Sequence, residues 1–511
     1  MRNVTVVILV LFLAGMSIVS AQTSPMVVAD GVATNSPLYY NHTPNIARSS
    51  SGDLVAVWKS AESQIVYSKY DPAFQTWSPA VPLSNAGSNA EKAGIVADDA
   101  GNLYCVWQQR ETKAQDYAVF FSKYDGTNWS SPVNLTGNDV ENEECSIEVS
   151  DKGEIFVAWN TDAEKDSLEF VLCIKSNDGG ASWSTPDTLS SLDGIIGGTS
   201  TTSGRPYLAR ATNGKMVCAW HEEPDGHPDR EIMLNQYDGS QWTGVIQHID
   251  VADSANTMYP AVAVDSNDEI YMAYVSFKSP AKLLFKKKAW DDGSWPAQAD
   301  TIVNGDVGVT KPVLGIDSDN NIYLAFRRDN AADTTYGMEE IVITASGDGG
   351  ATWKEQTRLS RQDYDAGYVT LATRITESGV DLLWREGFKQ FVDDPDTTSI
   401  VYGHYDSITG LESAAPAIAR QFSLAQNYPN PFNPQTHITF QIHKAGTYEL
   451  SIYNITGEKI TVLKSGKMIP GSYSVTWNAR DQKGIKVASG VYFYHLSSKE
   501  YSITKKMVLL Q

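Results

Sequence analysis

The sequence predicts an all-β protein that consists of a seven-bladed β-propeller followed by a small Ig-like β-sandwich. Three observations lead to this fold class. An apolar strand that ends in an aromatic residue recurs seven times, at a period of about fifty residues. Each period holds four short runs rich in Val, Ile, Tyr and Phe, and helical spacing is absent. After an Ala/Pro-rich linker, about ninety residues of alternating strands are punctuated by glycine.

The repeat unit contains a turn of Asp, Asn or Gly followed by a strand with an aromatic end. The seven aromatic positions are Trp58, Trp107, Trp159, Trp220, Tyr274, Phe326 and Trp384. Four short antiparallel strands per unit are typical of a propeller blade. One blade cannot bury both faces of its own sheet, so neighbouring blades must stack on it and the ring must close.

The seventh unit lacks an outer strand, because its sequence runs through TTSIVYGHYDSITG into the Ala/Pro-rich stretch. The segment PMVVADGVATN, ahead of the first repeat, offers a spare strand. We expect this N-terminal strand to complete the last blade and tie the ring shut. The alternative is a disordered N-terminal tail.

Composition divides the chain into four predicted parts: a signal peptide at 1–21, the propeller at 26–413, a linker at 414–421 and the C-terminal sandwich at 422–511. A basic start at Arg2, an apolar run from Val4 to Val19 and small residues leading to Ala21 are typical of a secretory signal. No later stretch is long and apolar enough to span a bilayer, so the mature chain is expected to be exported and soluble.

Charge and cysteine usage exclude several classes of partner and cofactor. The formal net charge is −21, with 61 acidic and 40 basic residues, and such a surface repels nucleic acid. The four cysteines lack the close spacing of zinc or redox sites, which favours buried thiols or one incidental disulfide. Acidic turns at Asp265 and Asp317 lack the distal Glu of a calcium loop and are interpreted as hairpin turns. No metal site and no cofactor are predicted.

Two units carry a tight turn with the pattern Ser-X-Asp-X-Gly-X-X-Trp, at Ser176–Trp183 and Ser346–Trp353. The Asp side chain can accept backbone N–H bonds inside the turn, Gly supplies a positive φ, and Trp packs under the hairpin. The pattern resembles the Asp-box (BNR) repeat of sialidases and related propellers. In that family the box is structural and lies away from the active site, so the resemblance implies no catalytic role for Asp178 or Asp348.

Aligned repeats place one residue of each unit at the entry of the innermost strand. These residues are Thr43, Lys92, Glu144, Arg205, Tyr259, Lys311 and, as the nearest candidate in the last unit, Tyr368. We expect them to surround the central opening, where a mixed basic, acidic and tyrosyl set suits a carboxylated or hydroxylated glycan. The ligand-binding candidates are Lys92, Glu144, Arg205, Tyr259 and Lys311. The alternative is a solvated entrance whose charges pair with one another.

The sialidase resemblance raises a catalytic alternative. Such an enzyme needs three arginines on a sugar carboxylate, a tyrosine nucleophile activated by a carboxylate, and an acid/base residue. The candidate catalytic residues are Arg205, Arg327, Arg385, Tyr368 and Glu222. The family's aromatic-Arg-Ile-Pro motif is missing, since the matching stretch reads TPNIARSSSG. We therefore favour extracellular recognition of glycans or other surface polymers over an exo-sialidase or related glycoside hydrolase.

The C-terminal residues carry the most specific motif of the chain. It opens with QNYPNPFNP at Gln426–Pro434, continues with IYN at Ile452–Asn454 and ASGVY at Ala488–Tyr492, and ends with KMVL at Lys506–Leu509. This series closely resembles the type A C-terminal sorting domain of type IX secretion. The resemblance implies Sec export, passage through the type IX machinery, and a secreted or outer-membrane-anchored protein. An ordinary Ig-like adhesion module is the alternative.

Overall fold

The computed structural model describes residues 25–30, 32, 37–38, 43–112, 114–162, 169–190, 203–223, 229–249, 256–304, 308–329, 338–361, 364–373, 379–387, 398–405, 422–424, 427, 429–442, 445–454, 457–469, 471–499 and 502–510. They belong to two compact units, residues 1–411 and 412–511. The predicted signal peptide at 1–21 and linker at 414–421 lie outside the described residues.

The first unit begins with a strand that joins the last blade, followed by blades one, two and three. The strands are β1 (Met26–Asp30); β2 (Ile46–Arg48), β3 (Leu54–Lys59), β4 (Ile65–Asp71), β5 (Thr76–Trp77) and β6 (Val81–Pro82) in blade one; β7 (Asn89–Ala97), β8 (Leu103–Arg110), β9 (Ala118–Tyr124) and β10 (Val133–Asn134) in blade two; and β11 (Glu141–Val149), β12 (Ile155–Asp162), β13 (Glu169–Ser176) and β14 (Asp187–Thr188) in blade three.

Blades four to seven repeat the same antiparallel order. Their strands are β15 (Ser203–Arg210), β16 (Met216–Glu222), β17 (Glu231–Tyr237) and β18 (Gln247–His248); β19 (Thr257–Val264), β20 (Glu269–Ser276), β21 (Lys282–Ala289) and β22 (Asp300–Val303); β23 (Val309–Ile316), β24 (Ile322–Asp329), β25 (Glu339–Ser346) and β26 (Thr357–Arg358); and β27 (Asp365–Thr373), β28 (Val380–Gly387) and β29 (Ser399–Tyr405).

The blades close into a ring, as the sequence predicts. Each innermost strand contacts the innermost strands of its two neighbours, and β2 of blade one contacts β27 of blade seven. The apolar core lies between blades: one cluster joins Val96 and Tyr104 of blade two to Ile147 and Val157 of blade three. The described residues thus form seven blades, and the predicted all-β propeller is confirmed.

The N-terminal strand β1 completes blade seven. It pairs antiparallel with β29, with Met26 opposite Tyr402 and Asp30 opposite Ser399. The Ser399 hydroxyl also donates to Asp30 Oδ1 at 2.6 Å. The predicted completion of the last blade by the N-terminal strand is therefore confirmed.

The two tight Asp turns fasten neighbouring blades together. The Ser182 hydroxyl donates to Asp178 Oδ2, and Asp178 Oδ1 accepts the Ser182 backbone N–H and the Ser176 hydroxyl, each at 2.8 Å. These hydrogen bonds, the one from the Ser182 hydroxyl above all, lower the pKa of Asp178 to about 2. Gly180, at φ +91°, stands against the ring of Phe121 in the preceding blade. Trp183 meets the same ring edge-on at a centroid distance of 5.1 Å. The turn at Ser346–Trp353 repeats these bonds, and its Trp packs on Phe285.

The acidic turns between first and second strands are hairpin turns, as predicted. Asp317 Oδ1 accepts the backbone N–H groups of Asp319 and Asn321, each at 2.9 Å, and Asp317 Oδ2 accepts the Tyr323 hydroxyl at 2.8 Å. Asp265 makes equivalent bonds in blade five, including one from the Tyr271 hydroxyl. Both carboxylates are therefore engaged within their own hairpins.

The four cysteines are free and buried inside the propeller: Cys105, Cys145, Cys173 and Cys218. Burial raises the pKa of each thiol, because the thiolate cannot be hydrated there. The prediction of buried thiols is confirmed, and these groups are held in their unreactive protonated form.

The second unit is a sandwich of two antiparallel sheets. Its strands are β30 (Phe422–Leu424), β31 (Thr436–Ile442), β32 (Gly446–Asn454), β33 (Lys459–Met468), β34 (Gly471–Trp477), β35 (Gly490–Ser497) and β36 (Ser502–Leu509). One sheet has the order β30-β31-β34 and the other β33-β32-β35-β36. Phe432, Trp477 and Tyr494 are fully buried between them. Phe432 belongs to the proline-rich opening motif, so that motif contributes directly to the core.

We predict that Gly180→Ala destabilises the propeller more than Gly126→Ala. A Cβ on Gly180 would lie 2.4 Å from the Phe121 ring, whereas a Cβ on Gly126 meets nothing within 4 Å. Both glycines have φ near +92°, so the backbone penalty of roughly 1 kcal/mol is shared. The clash adds about 1–3 kcal/mol for Gly180 alone. Chemical denaturation of both variants measures the difference, and equal losses would contradict the role of this contact between blades.

Candidate functional site

The innermost strands of blades two to seven share a β-bulge near their N-terminal ends. Each bulge holds one non-glycine residue with φ between +54° and +60°; we call these six residues the bulge ring: Lys92, Glu144, Arg205, Tyr259, Lys311 and Tyr368. A left-handed non-glycine residue costs on the order of 1 kcal/mol, and a bulge turns its side chain out of the ladder. Six of the seven positions aligned from the sequence, all except Thr43 of blade one, therefore belong to the bulge ring and share one strained backbone conformation.

Bulge-ring side chains of neighbouring blades touch one another. Lys92 Nζ lies 2.9 Å from Glu144 Oε1, and Arg205 Nε lies 3.8 Å from Glu144 Oε2. The Arg205 guanidinium stands over the Tyr259 ring at 5.5 Å from its centroid. In blades six and seven, Lys311 Nζ lies 4.6 Å from the centroid of the Tyr368 ring. These contacts link the bulge-ring side chains of blades two to five in one series and those of blades six and seven in another.

The channel is crossed just inside the bulge ring. The Tyr207 hydroxyl of blade four donates to Leu314 O of blade six at 3.4 Å, and the Thr43 hydroxyl of blade one donates to Ser146 Oγ of blade three at 2.9 Å. Each contact joins two blades that are not adjacent in the ring, so these side chains extend into the channel. Beyond them lies a cavity of about 340 Å³ lined by residues from all seven innermost strands. The bulge ring and this cavity are therefore opposite ends of the channel.

One side of the bulge ring is rich in carboxyl groups from blade three. Lys92 Nζ contacts Glu143 Oε2 at 2.7 Å as well as Glu144. Burial and a hydrogen bond to Glu143 raise the pKa of Glu141 to about 7. Burial and neighbouring carboxylates raise the pKa of Glu169 to about 7. On this side of the bulge ring, the Lys92 ammonium is therefore neutralised by Glu143 and Glu144, and the carboxyl groups of Glu141 and Glu169 stay partly protonated near neutral pH.

The other side of the bulge ring is basic. Arg327 and Arg385 converge beside Gly367, where a Cβ would lie 3.9 Å from Arg327 Cδ and 3.7 Å from Arg385 Nη2. The Arg385 guanidinium also stands 5.4 Å from the centroid of the Tyr368 ring, the ring that Lys311 contacts. Two guanidinium groups, one amine and one phenol therefore gather between blades six and seven.

The pKa of Lys311 is affected by these positive charges. Burial lowers its pKa to about 7, and the charges of Arg327, Arg205 and Arg385 contribute, while Glu339 acts in the opposite direction. The local field favours an anion, although the whole chain is strongly acidic.

Two carboxylates hold the arginines of this basic side in place. Arg327 Nη1 lies 2.7 Å from Glu339 Oε2, and Arg385 Nη2 lies 3.2 Å from Asp365 Oδ2. Asp365 Oδ1 also accepts the Glu339 backbone N–H at 2.9 Å, which links blades six and seven. Charges at the entrance do pair with one another, and the pairs fix the orientation of the guanidinium forks.

Glu222, the predicted carboxylate partner of a tyrosine nucleophile, lies in β16 and accepts the indole N–H of Trp220 at 2.7 Å. Gln109 serves Trp107 in the same way, and Glu386 serves Trp384. The residue two positions after the aromatic end is thus a repeated indole acceptor. A catalytic pair of Tyr368 and Glu222 stays a prediction.

Alignment of the seven repeats with one another identified the bulge-ring positions but not the carboxylates beside them. Glu143 and Asp365 lie one and three residues before a bulge-ring position, so adjacent columns of the same alignment contain them. Glu339 is different, because only the pairing of β24 with β25 brings it beside Arg327. Most of the long loop at 190–206 and the tips of the long loops after β16, β24 and β28 lie outside the described residues.

The described residues contain no cluster of three His, Cys, Asp or Glu side chains arranged to hold a metal ion. No helix within the described ranges has the length and apolar character needed to cross a membrane.

Residues 426–510 match the family described as the secretion system C-terminal sorting domain. The predicted sorting domain is thereby confirmed, and it indicates type IX secretion to the cell surface or the extracellular space. No curated protein matches the chain.

Solved structures share the propeller fold at low sequence identity. An ulvan lyase of a new polysaccharide lyase family, bound to GlcA(1-4)Rha3S, has TM-score 0.53 and 12% identity and covers 74% of this chain and 95% of its own. Polysaccharide lyase Uly1 has TM-score 0.51 and 9% identity, with 75% and 99% covered. A Hadza microbial sialidase has TM-score 0.43 and 16% identity, with 70% and 73% covered. At these identities the first two likenesses establish the fold alone.

We predict opposite stability effects for Lys311→Met and Lys92→Met, two substitutions at equivalent bulges. The pKa of Lys311 in the folded protein is about 7, below its unfolded value of about 10.4. Its charge therefore destabilises the fold fully below pH 7, and this cost diminishes as the pH rises toward the unfolded value. Lys311→Met should raise Tm most at about pH 6 and less at about pH 9.

Lys92→Met should lower Tm, because it removes a cation from two carboxylates at 2.7 and 2.9 Å. The loss is on the order of 3 kcal/mol. Differential scanning calorimetry of both variants at the two pH values measures the shifts. Changes of the same sign for the two lysines would show that the charge environments do not differ as described.

Proposed function

We propose that this type IX-secreted propeller binds acidic polysaccharides at its bulge ring. The anionic groups of the polymer, carboxylate or sulfate ester, are held by Arg327 and Arg385, with Arg205 and Lys311 adding positive charge. The convergence of Arg327 and Arg385 beside Gly367 is the observation that carries this proposal.

The chemistry of the arginines supports an anionic ligand. A guanidinium presents a planar fork that binds a carboxylate or sulfate through two parallel hydrogen bonds. Glu339 and Asp365 already orient the forks, so less side-chain entropy is lost when a ligand binds. The chain carries a net charge of −21, so this basic side is a local exception and the place to which an anionic polymer is drawn.

Tyrosines beside the arginines suit the rest of a sugar. Tyr368 and Tyr259 each have a guanidinium over the ring and lie half-buried in the bulge ring. An amphipathic phenol offers an apolar face to a pyranose and a hydroxyl for hydrogen bonding. The ulvan lyase that shares the fold was solved with a glucuronate-containing saccharide.

A second candidate is an exo-sialidase or related glycoside hydrolase. The favouring observation is that Arg205, Arg327 and Arg385 all act on the Lys311 amine, with Tyr368 in contact with Arg385. Three arginines around one carboxylate and a nearby tyrosine are what such chemistry needs.

For the hydrolase, the expected result is release of the fluorophore from a fluorogenic sialoside by the full mature chain. Tyr368→Phe should abolish this release, because the nucleophilic oxygen is lost. No release by the unaltered chain, or equal release by Tyr368→Phe, would remove this candidate.

For acidic polysaccharide binding, we expect Arg327→Gln to weaken affinity for a polyuronate by about tenfold or more, since one charged hydrogen-bonding fork is lost. Affinity gel electrophoresis with embedded polygalacturonate or alginate measures the change. Binding should also weaken as the salt concentration rises.

The matched control is Arg328→Gln. Arg328 is the next residue of β24 and points to the other face, where it lies 2.7 Å from Glu340 Oε1. This variant removes the same charge from the chain but leaves the basic side of the bulge ring intact. If both variants weaken binding equally, net charge and not the bulge ring governs affinity.

A further inference from the structure

We infer that the bulge ring also cleaves the polymer, by β-elimination beside a uronate carboxylate, with Lys311 as the base and Tyr368 as the proton donor. This inference rests on the proposed binding of acidic polysaccharide and assigns the reaction and the substrate class to the same site.

The placement of Lys311 is the first argument. Its Nζ and the Arg385 guanidinium lie over the same Tyr368 ring, at 4.6 and 5.4 Å from the centroid. A uronate carboxylate on Arg385 and Arg327 therefore brings its sugar ring within reach of the amine. The proton to be removed is on C5, the ring carbon bonded to the carboxylate, so the base must stand beside the carboxylate-binding group.

The state of Lys311 is the second argument. A lysine side chain in water is protonated near neutral pH, so its amine cannot accept a proton from the substrate. Burial and the three arginines lower the pKa of Lys311 to about 7, so a substantial fraction of the amine is neutral there. The same arginines neutralise the substrate carboxylate and stabilise the charge that develops on it when C5 loses its proton.

The reaction balances without an additional reagent. The C5 proton moves to Lys311 Nζ, and the C5–H electron pair forms a double bond between C4 and C5. The C4–O bond breaks, and the departing oxygen takes the proton of the Tyr368 hydroxyl. The Lys311 ammonium then returns a proton to the phenolate. One glycosidic bond is exchanged for a new hydroxyl end and an unsaturated uronate end, with no water, oxidant or metal consumed.

Lys92 shows that position alone does not create this base. It occupies the equivalent bulge in blade two at φ +54°, against +55° for Lys311. Its Nζ lies between the carboxylates of Glu143 and Glu144, which stabilise the protonated form. The difference between the two lysines comes from the neighbouring blades, which supply carboxylates to one and guanidinium groups to the other.

The test incubates the full mature chain with polygalacturonate, alginate or a glucuronate-containing polymer. The ultraviolet absorbance of the conjugated double bond is followed, and binding is measured in parallel. We expect absorbance to rise with the unaltered protein, and kcat/KM to increase with pH through about 7 as Lys311 loses its proton.

Lys311→Arg is the decisive variant, because it keeps the positive charge but cannot act as a base near neutral pH. It should retain polymer binding and lose at least about 100-fold in kcat. Lys311→Met, expected to be at least as stable as the unaltered protein, should lose kcat as well. Turnover by either variant at the unaltered rate would overturn the role of Lys311.

The outcomes separate the two proposals. Absence of binding to all three polymers contradicts the proposed function and, with it, this inference. Binding without new absorbance overturns the elimination while the binding proposal stands. New reducing ends without new absorbance indicate hydrolysis, which also overturns elimination.

Discussion

The structure depends on one constraint: a blade has two apolar faces, and only another blade can cover them. The core clusters accordingly lie between sheets, as where Val96 of blade two meets Ile147 of blade three. Both faces of every blade are covered only if the ring closes. For this reason β1, at the start of the propeller sequence, pairs with β29, at its end. The Asp turns add fixed contacts of the same kind, since Gly180 and Trp183 pack on a ring of the preceding blade.

Closure also brings together side chains that lie far apart in the sequence. Six bulges at one level of the channel aim six side chains at a common region, and each bulge adopts a left-handed conformation that a non-glycine residue resists. The cost is repeated six times, yet the side chains differ from blade to blade. The β-bulge is therefore a property of the fold, whereas the side chain at each bulge determines the chemistry of the site.

The two sides of the bulge ring differ because different charged groups surround the lysine on each side. Lys92 faces Glu143 and Glu144, whereas Lys311 lies near Arg327 and Arg385. An amine that is crowded by cations lowers the stability of the fold, and such a cost is expected where a binding or reacting group is prepared. The second unit has a core of its own, which contains Phe432 and Trp477, and its residues 426–510 match the sorting-domain family.

The sequence by itself determined the number of blades, the strand that closes the ring, the Asp turns, the sorting domain and the six bulge-ring positions. These features follow from local chemistry that repeats along the chain: strand patterning, turn residues and a fixed motif. The tertiary structure alone decided which charges meet. Arg327 and Arg385 converge because blades six and seven are adjacent in the ring, and Glu339 joins them through the pairing of β24 with β25. Electrostatic interactions depend on distances between distant segments, and spacing along the chain does not specify those distances.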